Sequence, residues 1–137
     1  MNTHLNTFIL PGFLLGCGLL YAEEACQPPT SQPTIESLLV CAERGDAQAQ
    51  LMLGQHYQSQ KGASDSFYLA ANWYRKAAEQ GNPEAQFQLG ILYLDGLGIT
   101  EDAATGFEWI SQAALNGHPG ATEVFNYLLD NPQPMEC

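Results

Sequence analysis

The sequence predicts an all-α fold, a short solenoid of helix-turn-helix repeats with a 36-residue period. Three observations predict it. Gly45, Gly81 and Gly117 stand 36 residues apart. Residues 45–80 laid over 81–116 without a gap give ten identities: Gly45/Gly81, Ala49/Ala85, Gln50/Gln86, Leu53/Leu89, Gly54/Gly90, Tyr57/Tyr93, Gly62/Gly98, Trp73/Trp109, Ala77/Ala113 and Ala78/Ala114. Ala49, Leu53 and Tyr57, and again Ala85, Leu89 and Tyr93, fall at i, i+4 and i+8, which makes one apolar helical stripe. Helix pairs of this kind cannot bury their apolar faces alone, and stacked neighbours complete the core.

In chain order, residues 1–22 read as a signal peptide. Phe8 to Tyr21 is apolar but short and broken by Pro11, Gly12, Gly16 and Gly18, too poor for a membrane span. Cleavage after Ala22 is one reading. Leu14-Leu15-Gly16-Cys17 resembles a lipobox and gives a second, with a lipid on Cys17; an uncleaved anchor is a third. All three place the repeats outside the cytoplasm, periplasmic or secreted in the first case and anchored in the envelope in the second. Residues 23–33 form a proline-rich polar linker.

The solenoid occupies 34–137. A half repeat over 34–44 supplies one helix, because Cys41-Ala42 aligns with Ala77-Ala78. Repeats 45–80 and 81–116 follow. Their first helices start at Asp46 and Asn82, good N-caps, and Pro83 suits the first helical turn. The second helices run over 66–80 and 102–116, with Ser66 and Asp102 expected as N-caps. Trp73, Ala77, Trp109 and Ala113 mark their expected buried side. Gly54 and Gly90 are expected to face Ala77, Ala78, Ala113 and Ala114, so that helix backbones approach closely. A half repeat over 117–130 ends the array, giving six helices in all.

These residues, Ala49 through Gly81 and their clearer second copy, resemble the Sel-1-like repeat family, relatives of the tetratricopeptide repeat. The resemblance covers roughly 34–130 and implies a right-handed α-solenoid acting as an adaptor, often exported in bacteria. Other members resemble immunity proteins that neutralise toxic effectors. A cysteine-rich Helicobacter subgroup is associated with β-lactam binding or hydrolysis, and a weak activity of that kind is the alternative expectation. Its cysteine pair in every repeat is absent here, since 45–116 holds no cysteine.

On the tetratricopeptide plan the first helices line a concave face. Gln48, Leu51, Gln55, Glu84, Phe87, Ile91, Asp95, Glu123 and Tyr127 would then form an apolar strip with an acidic rim, suited to a basic and apolar peptide or protein. The competing reading is that Leu51 and Phe87 pack between helices. The net charge of −11 fits the first reading through steering of a basic partner, fits plain solubility equally, and argues against nucleic acid.

Cys26 and Cys41 are the expected disulfide in an oxidising compartment, closing a short loop; Cys137 is too distant along the array. No spacing of metal ligands occurs, no cofactor motif occurs, and none of the serines sits in a nucleophile context, so neither metal, cofactor nor catalysis is expected. His56, where the next repeat has Leu92, reads as a half-buried core residue, with a pH switch as the other option.

Overall fold

The architecture is that of a computed structural model describing residues 26, 33–60 and 65–130. The signal peptide, Cys17, the linker apart from Cys26 and Pro33, and Cys137 lie outside the described residues. Six helices follow one another: α1 (Ile35–Glu43), α2 (Ala47–Ser59), α3 (Ser66–Glu79), α4 (Pro83–Asp95), α5 (Ala103–Leu115) and α6 (Pro119–Asp130). Among the described residues there is no strand. Extensive packing runs only between sequence neighbours, with α2 on α3 and α4 on α5 the tightest pairs. That is the contact pattern of a solenoid.

The joints are built three times over. Gly45, Gly81 and Gly117 take φ of 98°, 87° and 86°, where an L side chain is strained. Each lets the next backbone N–H reach back to close the helix: Asp46 N to Cys41 O, Asn82 N to Ala77 O, and His118 N to Ala113 O, at 3.1, 3.1 and 2.9 Å. Asp46 and Asn82 then cap α2 and α4 by accepting from Ala49 N and Ala85 N. Asp102 caps α5 through Thr105 N. Ser66 is not a cap: it is the first residue of α3 and buried, and Asp65 stands at the cap position without a side-chain capping bond.

The core differs from expectation in which aromatic it buries. Tyr74 is fully buried, whereas Trp73 and Trp109 are only half-buried and the Lys76 ammonium lies 4.0 Å over the Trp73 ring. Nor do the helical glycines face the alanine pairs. A Cβ on Gly54 would fall within 2.4 Å of the Tyr74 ring, and one on Gly90 would meet Ile110 Cγ1 at 2.7 Å and Gly106 O at 2.9 Å. Tyr74 and Ile110 occupy the same repeat position, so the glycine makes room for whichever large residue stands there.

Two buried glutamines tie each set of three helices together. Gln50 Nε2 donates to Ala42 O on α1 at 2.9 Å, and its Oε1 accepts from Gln80 Nε2, just past α3, at 2.8 Å. Thirty-six residues on, Gln86 Nε2 donates to Ala78 O at 3.0 Å and its Oε1 accepts from Asn116 Nδ2 at 2.8 Å. Gln86→Leu removes both bonds and is expected to cost about 1–3 kcal/mol. Gly90→Ala, pressed against backbone as well as Ile110, is expected to cost a similar ~1–3 kcal/mol. Urea unfolding monitored by circular dichroism measures both; values near zero would contradict the assigned roles.

Candidate functional site

The residues expected on the open face share a side of α2, α4 and α6, but their exposure is graded. Leu51 is 5% exposed and lies in the core cluster with Ala85 and Leu89 of α4. It therefore belongs to packing rather than to an open surface. Phe87, one period later, is half-buried: its ring stacks on His118 with centroids 4.4 Å apart and a 20° interplanar angle. With Ile91 it packs against the cluster that includes Ala121 and Val124 of α6. Glu123, a further period on, is exposed. The same register position thus loses cover as fewer helices follow it. Gln48, Gln55, Asp95, Glu123 and Tyr127 are exposed, Tyr127 at 63%, while Glu84, Phe87 and Ile91 form a half-buried margin.

This margin is organised by a residue that sequence reading missed. His118 Nδ1 accepts from Ala121 N at 3.0 Å, so the imidazole is the N-cap of α6. Its Nε2 lies 2.8 Å from Glu84 Oε2. A neutral ring with the proton on Nε2 satisfies both contacts, because it accepts at one nitrogen and donates at the other. The register could have revealed it, since His118 repeats the capping positions Asp46 and Asn82. Glu84 is completed by Gln88, whose Nε2 donates to Oε1 at 2.8 Å. Burial pushes the Glu84 carboxyl up, but the hydrogen bonds from Gln88 and His118, with the charge His118 can carry, outweigh it and leave the group below its ordinary 4.5.

Chemically the face offers carboxylates, amides and two aromatic rings, and no Lys or Arg follows Lys76 in the sequence. Among the described residues no group of three or more His, Cys, Asp or Glu side chains is placed to hold a metal. His56 is half-buried, and its Nε2 lies 2.8 Å from Gln60 Nε2. At the other end of the array Cys41 is buried against Cys26, and burial followed by the Cys26 thiol pushes Cys41 up to about 11.

Two copies of the Sel1 repeat match the sequence, at residues 47–82 and 83–118. Among solved structures the chain is similar to a Sel1 repeat protein from Oxalobacter formigenes, with 33% identity over 68% of this chain and 27% of that one, at a TM-score of 0.62. It is also similar to c5321, a protective antigen of uropathogenic Escherichia coli strains with an SLR fold, with 30% identity over 80% of this chain and 24% of that one, at a TM-score of 0.65. The chain spans about a quarter of the length of these structures. No curated protein matches it.

The Glu84 carboxyl, lowered in the fold, adds stability that is complete above 4.5 and is lost as the pH falls through and below that value. Glu84→Gln is therefore expected to flatten the loss of stability on acidification from pH 4.5 downward. His118→Ala, which removes the cap of α6, is expected to cost about 1 kcal/mol. Thermal unfolding of the variants across pH reads both effects; an unchanged acid slope in Glu84→Gln would exclude the carboxylate as its source.

Proposed function

The chain belongs to the Sel1 repeat family, and from that membership we propose that it is an exported, non-catalytic module that binds a protein or peptide, as an adaptor or an immunity-type inhibitor. Sel1 repeats generally mediate protein–protein interaction. The observation that carries the reading to a surface is the exposed row Gln48, Gln55, Asp95, Glu123 and Tyr127 on alternate helices α2, α4 and α6. These side chains are exposed and contribute little to the core, so recognition can draw on them without disturbing the packing.

Tyr127 supplies a rigid aromatic anchor, of the type that concentrates binding energy at interfaces. Glu84, Asp95 and Glu123 give the face negative charge without a neighbouring Lys or Arg from the second half of the chain. Such a field accelerates encounter with a basic partner and disfavours acidic ones. The partner is therefore a basic surface or peptide with apolar side chains to set beside Tyr127 and Phe87.

Export rests on the apolar run over 8–21 and on the cysteines. An oxidising compartment would join Cys26 to Cys41, which already pack together. Non-reducing peptide mapping of protein recovered from the envelope fraction is expected to show that link; two free thiols there would count against export to an oxidising compartment.

Tagged protein used for affinity capture from the host's envelope fraction is expected to retain one partner in stoichiometric yield. Tyr127→Ser with Glu123→Lys, both exposed, should lower that retention about tenfold or more while leaving the unfolding midpoint unchanged. Undiminished capture by the folded double variant would move the binding surface elsewhere. Turnover of a chromogenic cephalosporin by the purified protein would overturn the non-catalytic reading.

A further inference from the structure

We propose that the cleft between α3 and the α4–α5 connection, residues 96–102, is a second binding site, for a ligand that presents a single carboxylate. The cleft is a shallow depression of about 940 Å³, widely open to solvent. It lies on the α3 side of α4, where Tyr93 packs, and not on the side where Phe87 and Ile91 meet α6.

Its floor is rich in donors. Arg75 is half-buried, and its Nη2 donates to the Tyr93 hydroxyl at 3.0 Å. Tyr93 accepts that bond, so its own O–H is directed elsewhere. Among the described residues Arg75 pairs with no carboxylate, and no buried polar side-chain atom lacks a partner. The remaining guanidinium N–H groups are therefore open to solvent, on a residue that lines the cleft. Asn72, one turn away at i−3, and Tyr68, 55% exposed, add an amide and a hydroxyl. In a chain with fifteen acidic and four basic residues, a half-buried cation without an acidic partner is unusual.

The repeats supply an internal control. Thirty-six residues either side of Arg75 stand Leu39 and Ser111, so the helix position itself does not need a guanidinium. The same shifts from Asn72 reach Glu36 and Glu108. An acid at 72 would sit at i, i+3 from Arg75 and neutralise it. In α3 alone the cation is present and the acid is an amide, which leaves the charge available to a ligand.

The wall is fixed in place. Gly98, at φ 71°, lies against the start of α3 so closely that a Cβ would come within 2.3 Å of the Phe67 carbonyl carbon. Asp102 N donates to Tyr93 O at 2.9 Å and holds the far end of the loop. Glu101 and Asp102 line the same cleft. They disfavour polyanions, so the fit is to one carboxylate beside neutral or basic groups, such as an isolated Asp or Glu of a peptide, rather than to phosphates. A planar carboxylate takes two parallel bonds from a guanidinium.

The test titrates the ¹⁵N-labelled full chain with benzoate, its neutral isostere benzamide, and inorganic phosphate. It follows the Arg75 Nε–Hε signal and the amides of 96–102. Saturable shifts with benzoate are expected, with benzamide and phosphate each weaker by about tenfold or more. Arg75→Leu, which installs the residue of the equivalent α1 position, should abolish the benzoate response at an unchanged unfolding midpoint. Arg75→Gln provides a second variant should Leu perturb the helix. The proposal is overturned by equal response to benzoate and benzamide, by no saturable shift at Arg75, or by benzoate binding that survives both substitutions.

Discussion

Everything in this array hangs on a buried amide that must be satisfied. Gln50 and Gln86 are nearly sealed from water, and an unpartnered amide there would cost as much as several apolar contacts return. Each finds a carbonyl at the end of the preceding helix and a donor just past the following one. Apolar packing tolerates sliding, because dispersion has no direction. A glutamine that must meet two partners at 2.8–3.0 Å does not. The pair of bonds therefore sets the stagger between units, and repeating it sets the path of the solenoid.

That constraint explains what else repeats. The glutamine's acceptor is the carbonyl of the alanine in the last turn of the preceding helix, so the helix must end on time. The left-handed glycine ends it, and the side-chain cap restarts the next. Gly54 and Gly90 leave room for the large side chain that the paired helix presents to them. What varies is the volume opposite the glycine: Tyr74 in one repeat and Ile110 in the next, with Ala70 exchanged for Gly106 so that the helix backbone itself can come nearer. The core is thus conserved in register and adjustable in content.

Much of this was legible in the sequence because it is local. A glycine at a fixed interval, a capping side chain and an apolar stripe each state their conformation within a few residues, and the six helices fall within a residue or so of where those signals put them. Ser66 misled because a serine before an apolar run looks like a cap, while the helix starts one residue earlier and buries it. Exposure was not legible. Leu51, Phe87 and Glu123 are equivalent in register, yet whether each is covered depends on how many helices follow, which no window of sequence contains. Gln50 and Gln86 were visible as identities but not as keystones, since a polar side chain does not announce its partners. His118 was hidden by its residue type, because imidazole is an unusual cap.

Repetition also separates what the fold requires from what it merely tolerates. A residue that recurs at the same interval with the same partners, as Gln50 and Gln86 do, answers to packing. A residue that appears once, where its equivalents are of a different chemical kind, is not required by the stagger and must be judged on what its surroundings offer. Tyr127 stands at the position of Gln55 and Ile91 and projects into water. Arg75 stands where Leu39 and Ser111 serve, with an amide where Glu36 and Glu108 would neutralise it. A charge that the scaffold neither needs nor compensates costs solvation unless solvent or a ligand reaches it. In so acidic a chain the cation stands beside an open cleft that Glu101 and Asp102 also line, yet among the described residues no carboxylate pairs with it. The asymmetry between repeats, rather than their likeness, is where a specific function for this chain is written.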